Sequence, residues 1–270
     1  MDPANHLGGG SSIRRFKAGV AYTRRCFRFQ LRHPVVVCFG LAQLVGVWGI
    51  LSVVGLFSLT STNAIFDPLT VLAVVLGYLL ASVFTTLGNA VISGYVLAVE
   101  LGTPGPLTYT LQHVRRRLPE LLKYAVFSAV VLSSIRLCTV ALRQKTAAGE
   151  LLARFVSGTL LITWYAATIY AIPILLFEGG GSMKRVFSRS TSLLRETKWR
   201  YATTMSAWPV LLASVIIGVE LLFSIGGVVG LSCLFVAVVS GAVVYRTYNA
   251  MFRMYLYGEV AGPFSLSNTQ

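Results

Sequence analysis

Residues 164–199 read WYAATIYAIPILLFEGGGSMKRVFSRSTSLLRETKW, and they decide the fold. From Trp164 to Phe177 the text is apolar, with one proline at position 173. It then breaks at Glu178-Gly179-Gly180-Gly181-Ser182. Beyond the break the apolar residues Met183, Val186, Phe187, Leu193 and Leu194 recur at helical spacing, and Lys184, Arg185, Ser188, Arg189, Ser192 and Arg195 take the opposite face. A span, a hinge and a cationic helix suited to a headgroup layer follow one another in 36 residues.

The same order recurs on either side. Ile13, Phe16, Val20, Phe27 and Leu31 share one side of a helix, with Arg14, Lys17, Arg24, Arg25, Arg28 and Arg32 on an adjoining arc. A second such helix carries Leu107, Leu111, Val114 and Leu118 beside Arg115, Arg116 and Arg117, after the break at Thr103-Pro104-Gly105-Pro106. Between these helices lie apolar runs at about 35–59, 69–99, 121–142, 151–177, 201–225 and 227–257. Each is as long as the ~20 residues a bilayer requires. The expectation is an all-α polytopic membrane protein: a flexible tail over 1–12, a single six-span domain over 13–260 and a polar tail over 261–270. The helical units 13–100, 107–178 and 183–257 form either a three-fold repeat or the plain alternation of any six-span protein with positive inner loops.

Composition agrees with a membrane class. Only 12% of the 270 residues are charged, and the net charge is +14. The basic residues flank apolar runs instead of forming a separate patch, so anionic lipid headgroups are the expected partner and nucleic acid is not. Of the 23 lysines and arginines, Arg143, Lys145 and Arg154 fall in expected outer loops and Arg136 within a span. All the others lie on inner segments, which places both termini on the cytoplasmic side of a plasma (inner) membrane. The segment before Pro34 lacks the form of a signal peptide. Cys26, Cys38, Cys138 and Cys233 and the three histidines are scattered, with no metal or disulfide spacing, and no cofactor is implied.

Polar residues inside apolar runs are the candidate sites. Ser82, Thr86, Asn89 and Ser93 form a stripe on the second run, and Arg246, Asn249 and Arg253 form another on the sixth. Asn89, Arg246 and Asn249 either line an inward-facing polar cavity or serve interhelical hydrogen bonds, with the arginines snorkelling to headgroups. Arg136 and Glu220 lie about 22 and 28 Å from the inner ends of their spans at 1.5 Å per residue, and either pair or snorkel separately. Glu178, with Gly179, Gly180 and Gly181, forms a hinge and cap. Its carboxylate either receives the free amides of the next helix or pairs with Arg185 or Arg189. No nucleophile motif, paired carboxylates or phosphate loop is legible, and the chain is not expected to be an enzyme.

The segment 171–190 resembles an uncharacterised prokaryotic family of six-span membrane proteins. The resemblance rests on Pro173, Glu178, Gly179, Lys184, Arg185, Arg189 and Ser190, and extends to His33-Pro34 before the first span. The triple glycine and the number of cysteines depart from the family's pattern. The family is distantly like the membrane domain attached to glycerophosphodiester phosphodiesterases, whose catalytic domain has no counterpart here, so no activity carries over. Two functions are expected from the whole: a non-catalytic scaffold with an envelope or lipid-related role, or a small transporter or channel whose cavity lies between spans two and six. Mitochondrial carriers share six spans and three repeats, but their Pro-x-acidic-x-x-basic signature is missing.

Overall fold

A computed structural model describes residues 12–60, 68–142, 147–179, 182–197 and 227–261, and every element among them is a helix. In chain order these are α1 (Ser12–Arg32), α2 (Pro34–Thr60), α3 (Pro68–Glu100), α4 (Pro106–Arg116), α5 (Leu118–Leu142), α6 (Ala147–Thr168), α7 (Ala171–Phe177), α8 (183–197) and α9 (Gly227–Val260). The fifth expected span at 201–225 and the two tails, apart from Ser12 and Ala261, lie outside the described residues.

Proline and glycine set the helix boundaries. Pro34 disfavours helical backbone at His33 and is itself suited to a helix's first turn. α1 and α2 accordingly meet at 93°. α3 stops where Gly102 turns left-handed (φ 65°), with Gly102 N donating to Val99 O at 3.0 Å and Thr103 N to Ala98 O at 2.9 Å. That pair of bonds is a Schellman cap, which closes the last carbonyls of the helix. Pro106 then opens α4 at its first turn. The expected fourth span, read as one helix over 151–177, is instead α6 and α7 separated by a turn at Ile169 and Tyr170. Pro173 has no amide hydrogen for the Ile169 carbonyl, and its ring crowds that carbonyl, so the helix breaks four residues upstream.

Among the described residues three stretches are long and apolar enough to cross a membrane: Val71–Glu100, Leu118–Thr139 and Gly149–Phe177. A fourth is added if the bent pair Ala21–Arg32 and Pro34–Ile50 counts as one. Their outer faces are apolar and exposed. On α3 Leu69, Leu72, Leu76, Leu80 and Phe84 form an exposed stripe, while Ser82, Thr86 and Ser93 are buried. Leu41, Val45 and Trp48 on α2 and Leu122, Val126 and Val130 on α5 repeat the exposed stripe. Contiguous apolar faces of this extent are rare on soluble monomers and compatible with insertion in lipid.

The three basic helices gather at one end of the bundle, called here the basic end. α7 is buried along all seven residues, and α4 and α8 close over it. His113 Nε2 lies 2.9 Å from Leu176 O, and Tyr170 N donates to Ser190 Oγ at 3.2 Å. Ser190 thus satisfies an amide in the turn before α7. α1 lies against α9, through Gln30 Nε2 donating to Thr247 Oγ1 and through Thr23 Oγ1 at 3.1 Å from Tyr248 OH. The side chains of Arg24, Arg28, Arg32, Arg115, Arg116, Lys184 and Arg185 point outward.

Candidate functional site: a cavity within the bundle

A cavity of about 550 Å³ opens among α3, α5 and α6. Its residues follow from helical spacing. α3 contributes Tyr78, Ser82, Thr85, Thr86 and Asn89, α5 contributes Tyr124, Ser128 and Leu132, and α6 contributes Leu161, Tyr165 and Thr168. Positions three and four apart share a helix face, so each helix turns one mixed polar and aromatic stripe inward. Val47 of α2, Ile172 of α7 and Arg253 of α9 complete the lining named here, together with Ala81, Ile162 and Trp164. Measured along α3, the span from Tyr78 to Asn89 is about 16 Å at 1.5 Å per residue. It sits near the middle of the apolar stretch Val71–Glu100.

Two polar atoms in this region are buried without a partner. Ser82, only 5% exposed, has no hydrogen bond to its Oγ, and Gln43 has none to its Oε1. Both atoms are enclosed by protein, and a buried hydroxyl with no partner costs about 1–3 kcal/mol. The Gln43 amide nitrogen is engaged, donating to Thr85 O at 2.8 Å and to Asn89 Oδ1 at 3.3 Å. It reaches them across Gly88, where a Cβ would stand 2.8 Å from Gln43 Cδ.

Of the three residues singled out in the sequence, Asn89 lines the cavity. Arg246 and Asn249 stand behind its wall. Arg246 Nη2 donates to Thr85 Oγ1 at 2.8 Å, joining α9 to α3. Asn249 Oδ1 and Nδ2 lie 3.0 and 2.8 Å from Tyr165 OH, and Arg253 Nε donates to Asn249 Oδ1 at 3.2 Å. The Arg253 guanidinium lies over the Tyr165 ring, 4.6 Å from its centroid, a cation–π contact that fixes the charge at the cavity edge. The cavity therefore differs from one formed between α3 and α9 alone, since α5 and α6 supply much of its wall. Tyr124, Ser128, Tyr165 and Thr168 escaped the sequence reading. Their signal was the spacing 124, 128 and 161, 165, 168, which is weak because hydroxyls and aromatics are common in apolar helices.

The electrostatics are one-sided. Arg253 is a lining cation, Arg246 stands one residue behind the wall, and no carboxylate lies among the lining residues described. Charges in a medium of low dielectric interact strongly, so Arg253 is the largest electrostatic feature among the described lining residues. Thr86, Asn89 and Ser128 are polar residues of the same lining.

The other candidates occupy different places. Glu178 Oε1 accepts from Arg189 Nε at 3.2 Å and from Tyr257 OH at 3.1 Å, so of the two arginines considered it contacts Arg189. The first turn of α8 is served by Ser182, whose Oγ lies 3.4 Å from Arg185 N. Gly179 is left-handed (φ 85°), and a Cβ on it would lie 3.2 Å from Arg117 Nη2. Gly180 and Gly181 lie outside the described residues. Arg136 is exposed on α5, and Glu220, its proposed partner, also lies outside them. Cys26 is buried, while Cys38 and Cys138 are exposed free thiols. No cluster of three metal-binding side chains occurs among the described residues. No protein family, curated protein or solved structure matches this chain.

Proposed function

We propose that the chain is a six-span integral membrane protein of the plasma (inner) membrane that binds an anionic molecule in the cavity among α3, α5 and α6. In this reading both termini are cytoplasmic, and α1, α4 and α8 rest in the inner headgroup layer with their arginines on anionic lipid. The observation that carries the function is the lining itself: a guanidinium held on Tyr165, with Thr86, Asn89 and Ser128 nearby and no carboxylate among the described lining residues. Such a site holds an anion without chemistry of its own, as a carrier or a lipid-handling scaffold requires.

The test is thermal unfolding of the purified protein in a neutral detergent with dodecyl phosphate, dodecanoate or dodecyltrimethylammonium added. A bound ligand at 100 times its Kd stabilises by about 2.7 kcal/mol. Stabilisation by the anions alone, lost in Arg253→Gln, is the expected result. Equal shifts from the cation, or none from either anion, reject the site. Topology is tested separately by cysteine labelling in a cysteine-free background. Ala64→Cys reacts from outside and Phe187→Cys from inside, and outside labelling at 187 overturns the arrangement.

A further inference from the structure

Arg246 stands at a depth where a guanidinium is rare. Its Nη2 donates to Thr85 Oγ1 at 2.8 Å, which turns the side chain inward to α3 instead of out to a headgroup layer. Thr85 lies at the middle of the apolar stretch Val71–Glu100. Arg246 is half-buried, and the bond to this neutral hydroxyl is its single hydrogen bond among the described residues. A guanidinium keeps its proton in proteins, so the charge stays in place. In an apolar medium such a charge requires an opposite charge or water beside it.

The chain holds nine carboxylate side chains, and their places in the sequence put none of them at that depth. Glu100 ends α3, Glu120 and Glu150 stand in the first turns of α5 and α6, and Glu178 follows α7. Glu196 lies in the last turn of α8 and Glu259 in the last turn of α9. Asp67 directly precedes α3, and Asp2 belongs to the N-terminal tail. Glu220 counts to about 28 Å from the inner end of its run, and Arg246 to about 16 Å on the same scale. Thr85 is about 22 Å from Glu100 and about 26 Å from Pro68, the two ends of α3. Along α9, Glu259 is about 20 Å from Arg246. Arg253, two turns farther on, brings a second positive charge and not a counter-charge.

We propose that Arg246 holds a small monovalent inorganic anion of the halide class at mid-membrane, separate from the ligand of the cavity. Arg246 is not among the residues that line the cavity, so the room beside it suits an ion and not a molecule that fills about 550 Å³. One negative charge balances one guanidinium, and a singly charged ion loses its water at less cost than a phosphate does. The ion adds to the tie that Arg246 and Thr85 make between α9 and α3. The site rests on the spanning reading of α3 and α9 and is independent of the cavity ligand.

The test follows thermal unfolding of the purified protein in a neutral detergent while sodium chloride replaces sodium gluconate at constant ionic strength. Above the Kd of the site, the ratio of folded to unfolded protein rises about tenfold for each tenfold rise in chloride. Bromide acts as chloride does. Arg246→Gln removes the dependence and Arg246→Lys keeps it. Arg154→Gln, which changes an exposed arginine on α6, leaves it intact. No chloride dependence in the parent protein overturns the site whatever the variants do, and inside labelling of Phe187→Cys then shows that the spanning arrangement survives it. Dependence that persists in Arg246→Gln places the ion elsewhere and overturns the assignment. Chloride that displaces dodecyl phosphate in proportion to its concentration merges the two anion sites into one and overturns their separation.

Discussion

Two carboxylates at the basic end invite comparison, because each joins a spanning helix, a basic helix and α9. Glu100 ends α3 and accepts from Arg25 Nη2 of α1 at 2.6 Å through Oε2, and from Tyr255 OH of α9 at 2.7 Å through Oε1. Glu178 follows α7 and accepts from Arg189 of α8 and from Tyr257 of α9, two residues farther along the same helix. It uses Oε1 for both, at 3.2 and 3.1 Å. The chemistry is shared and the geometry is not. In the first cluster the Arg25 guanidinium also lies over the Tyr255 ring at 4.6 Å, closing a triangle. The backbone explains the contrast. Glu100 is carried by 33 continuous helical residues, whereas Glu178 stands between a broken helix and a left-handed glycine. A continuous helix holds its last side chain in place, and short charged hydrogen bonds follow. Glu178, beside the left-handed Gly179, makes the longer bonds, and α8 is tied to the bundle through Ser190 as well.

The largest effect is expected at the closed cluster. Glu100→Ala removes two hydrogen bonds to one carboxylate, and with Arg25 half exposed and Tyr255 buried the cost is about 2 kcal/mol. Loss of protection from hydrogen exchange should appear in residues 21–32, and an unchanged exchange rate there would show that α1 is held by its apolar contacts alone. Gly179→Ala comes next. It places a Cβ in left-handed backbone and against Arg117, at about 1.5 kcal/mol, and should loosen 183–197 while sparing 21–32. If both segments loosen together, the two clusters are one cooperative unit and the contrast between them fails. Glu178→Ala should be mildest, at about 1 kcal/mol by denaturant unfolding in micelles. If it unfolds like the parent but loses anion-dependent stabilisation, Glu178 acts on the ligand and is more than a tie between helices.

Several of these elements were legible before any tertiary structure. Pro34, Pro68 and Pro106 stand where helices begin, and Gly102 and Gly179 where the chain turns left-handed, because both residue types act through their own backbone. Asn89 was legible as a polar residue in an apolar run. The turn at Ile169 and Tyr170 was not placed, although Pro173 was visible. A proline in a long apolar run is compatible with a bend as well as a break, and here the Tyr170 amide is received by Ser190 of another helix. Arg253 and Tyr165 illustrate the same limit. Each is an ordinary interfacial residue by itself, and the two become a charged edge of a cavity only when α6 and α9 meet.

Composition and periodicity alone determined the class of this protein: a helical chain, rich in apolar runs and bearing three cationic helices. Those properties are local, since a residue's neighbours three and four positions away set its helix face. Only the tertiary structure decided which partner each polar side chain received. Glu100 takes Arg25 from 75 residues away and Tyr255 from 155, and Tyr165 meets Asn249 across 84. Helices in an apolar medium pack by shape and by hydrogen bonds between whichever faces meet. Nothing in the spacing of residues along one helix records which face of another will lie against it.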